Sequence, residues 1–253
     1  MNFEILYYLD QWVIFTVSII ILFLLMELGY LWGKHKSAAN KEMASHISGA
    51  LIGFVALLLG FSFSMAINRF DARRGAMLQE VNDIQTAYQR IDLLNENDQT
   101  ALRPLFKKYV DSRIQYYDKN PIEMHIGIQK GIALQNQIWE ISKNIARQNP
   151  SALNMAYIAA LGDMIGDLAK RTSARDNHVP EPILWLLFCV AAITITVNGY
   201  SAGINRERGV GLRVLLILSF MVVLILIIDL DRPRRGLIVN NQQPVLNLQD
   251  AMK

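Results

Sequence analysis

Residues 47–67 read ISGALIGFVALLLGFSFSMAI, with no charged side chain anywhere in the run. At about 1.5 Å per residue a helix of that length covers roughly 30 Å, one bilayer hydrocarbon thickness. The chain then turns polar at once: Asn68-Arg69-Phe70-Asp71-Ala72-Arg73-Arg74-Gly75. Three further apolar runs lie outward from this one, at residues 12–32, 183–204 and 212–230. The last has a short core, Val214 to Ile228, bracketed by Arg213 and Asp229, which are expected to snorkel to opposite interfaces. Two runs sit near the N-terminus and two near the C-terminus, with a polar, helix-patterned stretch of over a hundred residues between them. The pattern predicts an all-α integral membrane protein whose four transmembrane helices form two hairpins.

Composition agrees. Of 253 residues, 52% are hydrophobic and 19% charged, against roughly 45–50% and 25% in soluble domains. A net charge of +3 gives no reason to expect a nucleic-acid partner. The lone Cys189 cannot form an intrachain disulfide. The opening residues carry Glu4 and Asp10 rather than Lys or Arg, and no small-residue cleavage site follows, so the first span is expected to be retained. Tyr7, Tyr8 and Trp12 at one end and Tyr30 and Trp32 at the other read as interfacial aromatic belts.

The middle stretch carries helical stripes. Met77, Val81, Ile84, Tyr88 and Ile91 step by four and three, with only Gly75 to weaken the join to span two, so one long helix is expected to leave the membrane. A second helix carries Leu102, Leu105, Phe106, Tyr109, Val110 and Ile114. A third starts at Asn120-Pro121, a cap followed by Pro in the first turn, and carries Met124, Ile128, Gly131, Gln135, Ile138 and Ile145 until Asn149-Pro150 ends it. A fourth, from Ser151, carries Leu153, Tyr157, Leu161, Met164 and Leu168. Residues 172–182, with two prolines, read as a linker. The expected division is therefore an N-terminal transmembrane hairpin (1–68), a helical extramembrane domain (69–182), a C-terminal hairpin (183–231) and a tail (232–253).

Parity places the extramembrane domain and both termini on one side. That side holds Arg69, Arg73, Arg74, Lys170, Arg171, Arg175, Arg232, Arg234 and Arg235. The other holds Lys34, Lys36, Lys41, Arg206, Arg208 and Arg213 in short loops. The larger basic count favours a cytoplasmic domain in a bacterial inner membrane; the acidic N-terminus and the short-loop weighting argue the other way.

Three constellations carry candidate chemistry. First, the exits of spans two and four share a pattern, Asp71-Ala72-Arg73-Arg74-Gly75 and Asp229-Leu230-Asp231-Arg232-Pro233-Arg234-Arg235-Gly236. Anchoring of Arg on lipid phosphates explains them, and so does a charge network at a pore mouth that also includes Arg69. Second, Gly49, Gly53, Ala56, Gly60, Ser64 and Asn68 recur on one face of span two. Small stripes let helices pack closely; the same face could line a conduit, with Phe61 and Phe63 near its end. Third, Glu27 and Asn198 are polar groups inside spans. A structural ion pair with Lys34, His46 or Arg213 is expected for Glu27, and a polar partner for Asn198.

Enzyme signals are missing. Gly199-Tyr200-Ser201-Ala202-Gly203 matches the serine-hydrolase elbow but lies in a span with no strand before it. His35, His46, His125 and His178 lack metal-ligand spacing, and no metal or cofactor is implied.

Residues Gly60-Phe61-Ser62-Phe63-Ser64-Met65-Ala66, Arg69-Phe70-Asp71-Ala72-Arg73-Arg74, Glu80, Asn82, Ile84, Thr86-Ala87-Tyr88, Arg90 and Asp92-Leu93-Leu94, together with the span-four exit and Gln243-Pro244, resemble the bacterial bestrophin-like domain family. The resemblance implies kinship to bestrophins, which are oligomeric anion channels with four spans per subunit and a helical cytoplasmic part. Their calcium-sensing acidic cluster is not visible here, so calcium gating is not implied. The sequence thus predicts an oligomeric ion channel, anions being the first guess, with the bilayer, further copies of the chain and inorganic ions as partners. A non-conducting scaffold or sensor, whose helical domain binds other proteins, is the alternative.

Overall fold

The protein is described by a computed structural model over residues 10–36, 41–115, 121–232, 238 and 241–252. Among these residues there is helix and no strand. In chain order the helices are α1 (Gln11–Lys34), α2 (Lys41–Arg90), α3 (Glu96–Gln115), α4 (Pro121–Gln148), α5 (Ala152–Asp176), α6 (Glu181–Asn205), α7 (Val210–Asp231) and α8 (Gln243–Ala251). Four of them hold segments long and apolar enough to cross a membrane. The four apolar runs fall within α1, the first half of α2, α6 and α7, as their composition demands. Helix α2 runs unbroken for 50 residues through Gly75.

Local chemistry sets the ends. Asp10 caps α1 by accepting the Trp12 N–H at 2.8 Å, and Ser151 caps α5 by accepting the Asn154 N–H at 3.2 Å. Arg206 closes α6 in the left-handed region with φ 56°, a conformation more often taken by glycine. The stretch read as an eleven-residue linker shrinks to four, 177–180, between α5 and α6. Pro182 falls in the first turn of α6, where a missing N–H loses no helical bond, so it begins a helix rather than interrupting one. The cap expected of Asn120, and the aromatics Tyr7 and Tyr8, lie outside the described residues.

The described residues form two compact units. Unit one holds those up to Phe70, His178–Arg232 and Ile238; unit two holds Asp71–Asn177 and the described tail from 241. The core of unit one joins Leu22, Met26, Val55, Ala66, Leu184, Leu187, Ala191 and Ile195 to Ile217, Met221, Leu224 and Ile227. Its tightest packing is α1 on α6. A Cβ placed on Gly29 or Gly33 would overlap the carbonyl oxygens of Thr196 and Tyr200, and one on Gly199 or Gly203 those of Met26 and Tyr30. These pairings rise together along both helices, so α1 and α6 run parallel, each offering Gly-x-x-x-Gly to the other's backbone. The apparent hydrolase elbow is the α6 half of this crossing, and Ser201 is buried in it.

Unit two packs the predicted stripes. Met77, Val81, Ile84, Ile91, Leu102, Phe106, Tyr109, Val110, Ile138, Ile145, Tyr157, Leu161 and Met164 form one core, closed by Val245, Leu248 and Met252 around α8. Leu153 departs from expectation: it is 54% exposed, while its neighbour Asn154 in the same first turn is buried.

Candidate functional site

A helix turns about 100° per residue, and this sorts the side chains of α2 into two faces. Ala44, Ser48, Val55, Ser62 and Ala66 cluster on one side and are buried. Gly49, Gly53, Ala56, Gly60, Ser64 and Asn68 fall on the opposite side and are all exposed. A Cβ added at Gly49, Gly53 or Gly60 would meet nothing within 4 Å. The small residues of span two are therefore not used for packing inside one chain, unlike those of α1 and α6. Phe61, 65% exposed, borders them.

The polar groups inside the spans have separate fates. Asn198 Nδ2 donates to Ser48 Oγ at 3.2 Å, tying α6 to the buried side of α2. Glu27 is half-buried and, among the described residues, forms no ion pair. Two of its three expected partners are engaged elsewhere: Arg213 stacks 5.2 Å from the Tyr30 ring centroid and donates to the carbonyls of Glu207 and Arg208, while His46 stands 3.9 Å from Glu42.

The charged exits differ in burial. Asp229 and Asp231 do not face open solvent; each is buried within unit one and caps backbone. Asp231 Oδ2 accepts the Val179 N–H at 2.9 Å, and the Asp231 carbonyl takes His178 Nδ1 at 3.1 Å. Asp229 Oδ2 accepts the Ile238 N–H at 2.9 Å. Arg213 and Asp229, expected to snorkel from the two ends of span four, are instead buried and hydrogen-bonded to backbone inside the protein. Arg232 and Arg73 are buried, Arg69 is half-buried, and Asp71 and Arg74 are exposed. Arg234 and Arg235, and the chain direction expected from Pro233, lie outside the described residues.

Sequence reading missed a buried charge cluster in unit two. Glu80 of α2 pairs with Arg113 of α3 at 2.7 Å and with Arg171 of α5. Glu80 and Arg113 are sealed from solvent, at 1% and 0% exposure. Arg113 interrupts the apolar run Tyr109-Val110 to Ile114, the one local sign that it points inward. Burial, reinforced by the Glu80 charge, pushes the neighbouring Tyr109 phenol upward, and Gln135 Nε2 donates to its oxygen at 2.9 Å. Tyr157 is pushed up to about 12 by burial, against the hydrogen bond it shares with Ser142. Both phenols stay neutral at physiological pH and serve packing. Among the described residues no set of three His, Cys, Asp or Glu could hold a metal.

Comparison with known proteins matches this architecture. No curated protein matches the chain in sequence. The crystal structure of a bacterial bestrophin homologue from Klebsiella pneumoniae superposes with a TM-score of 0.67 at 12% identity, covering 94% of each chain. A point variant of that homologue gives 0.69 at 12% identity, over 94% of this chain and 98% of the other. A point variant described as a membrane protein gives 0.68 at 12% identity over 96% of both. At such identity the likeness is one of fold. The family model for the Bestrophin-like domain matches residues 15–243, and the chain belongs to that family.

Proposed function

We propose that the protein is an oligomeric ion channel of a bacterial inner membrane, with the exposed small-residue face of α2 lining its conduit. One observation carries the reading. Span two buries Ala44, Ser48, Val55, Ser62 and Ala66 and leaves Gly49, Gly53, Ala56, Gly60, Ser64 and Asn68 uncovered. Lipid rewards a large apolar side chain and gains nothing from bare glycine backbone. Such a face is better suited to water and ions, or to a close neighbour helix from another copy. Family membership supports the same choice. Anions remain the first guess for the permeant species. The exposed Arg74 and half-buried Arg69 are the charges proposed to bias selectivity, with the helical domain on the cytoplasmic side.

Purified protein in planar bilayers tests this. Discrete single-channel steps are expected, with Arg74→Glu shifting the reversal potential toward cations. Silent bilayers across pH, salt and voltage, with protein verified in the membrane, overturn the reading. The scaffold alternative has its own support in Ile122, Leu153 and Met155 of unit two, all more than half exposed; stable capture of a partner protein by a chain that conducts nothing would favour it.

A further inference from the structure

Asp167 of α5 plays no part in the conduit reading. Its side chain is 1% exposed. Lys170 Nζ donates to its Oδ1 at 2.7 Å. Its Oδ2 is buried and meets no donor, and its carboxyl lies within hydrogen-bond reach of another carboxyl, that of Asp83 on α2. Two carboxylates repel; they hydrogen-bond only when one of them carries a proton.

The pair is one rung of a ladder. Glu80 meets Arg171, Asp83 meets Asp167, and Arg90 Nη1 donates to the Ala156 carbonyl at 2.6 Å. Numbers rise on α2 as they fall on α5, so the helices run antiparallel and each rung fixes the same seam. The outer rungs hold at any ordinary pH, since arginine stays charged. The middle rung differs.

We propose that a proton shared between Asp83 and Asp167 latches α5 to α2, and that its release loosens this seam of unit two. Burial first, and then Asp83, raise the Asp167 carboxyl from 3.8 to about 6, against the pull of Lys170. Charged groups surround the pair on the packed elements. From α5 come Lys170, with Asp163 acting on that lysine, and Arg171, which is turned to Glu80. From α2 come Glu80 itself and Gln79, whose amide donates to Asp83 Oδ2 at 2.9 Å. Arg113 of α3 is held by Glu80. Where α4 meets α5, Ser142 shares a hydrogen bond with Tyr157, and Arg175 of α5 donates to the Met124 sulfur of α4. On deprotonation the proton leaves to water through Asp83, the half-buried member; both groups become anionic and separate, while Lys170 stays on Asp167. The seam lies wholly within unit two, so the inference stands or falls independently of conduction.

Hydrogen–deuterium exchange of the full-length protein in detergent micelles, at about pH 5 and about pH 7.5 and corrected for intrinsic rates, tests it. Peptides covering 77–90 and 160–172 are expected to lose protection by about tenfold at the higher pH. Asp167→Asn, whose amide donates to Asp83 at either pH, is expected to stay protected and flat, and Asp83→Asn to do the same from the other side. Equal wild-type protection at both pH values overturns the proposal whether or not the variants fold. So does an Asp167→Asn profile as steep as wild type. Protection restored at the higher pH by calcium or magnesium also overturns it, by placing a cation where the proton is assigned.

Discussion

Gly199 of α6 lies against the backbone of Met26 on α1, so near that a Cβ would overlap the Met26 carbonyl oxygen. Gly203 repeats the contact at Tyr30, and Gly29 and Gly33 return it at Thr196 and Tyr200. No flexible side-chain end can yield here, because backbone meets backbone. Gly199→Ala is expected to push the two helices apart and to destabilise unit one by about 2 kcal/mol or more. Gly53→Ala, with nothing within 4 Å, is expected to keep the chain folded. Thermal melts followed by size-exclusion chromatography in detergent compare the two; equal melting would contradict the crossing.

Much of this molecule was legible in the letters. Long apolar runs located every span, Glu27 being the one charge inside the first of them. The 3.6-residue period found the unit-two core from Met77 to Met164 and the two faces of span two. What could not be read was pairing at a distance. Arg171 and Glu80 are 91 residues apart, and nothing local says which acid a buried arginine will find. Asp229 and Asp231 sit in an Asp-Arg motif like that of Asp71, yet their oxygens cap backbone N–H groups at Val179 and Ile238. Composition cannot separate a capping aspartate from a solvated one. Gly199 to Gly203 matched a hydrolase turn by spacing alone, and nothing local named the helix crossing it makes, because the partner helix decides.

Asp231 accepts from Val179 at 2.9 Å while nearly sealed from solvent. Asp231→Ala strands that N–H, so a loss of about 1.5–3 kcal/mol is expected, read as a lowered melting temperature. Asp231→Asn keeps a carbonyl acceptor and is expected to lose less. Matching losses for both would show that charge, and not the cap, matters at this position.

Glu80→Gln leaves Arg113 and Arg171 buried without their shared carboxylate. A penalty of about 3–5 kcal/mol is expected. Limited proteolysis should open sites in unit two first, before the spans are cut. A variant as resistant as wild type would mean the cluster contributes little to holding α2, α3 and α5 together.

Asp167 gives a pH dependence of definite sign. Its folded value, about 6, lies above the ordinary 3.8, so the folded state binds the proton more tightly than the unfolded chain. The stabilisation is full below about pH 4 and is lost as pH rises through about 6, at most about 3 kcal/mol. The difference between wild-type and Asp167→Asn melting temperatures should therefore change between about pH 5 and pH 7.5, with wild type weakening. A constant difference would contradict this.

Water along span two is the feature on which conduction depends, and Ser64 reports it most directly. With the exposed Cys189 first replaced by alanine, Ser64→Cys in proteoliposomes is treated with a charged, membrane-impermeant thiosulfonate. The expected result is rapid labelling that abolishes most of the ion flux. Protection from the charged reagent, with reaction only toward a lipid-permeant maleimide, would place this face in lipid or in a dry helix interface and contradict the conduit.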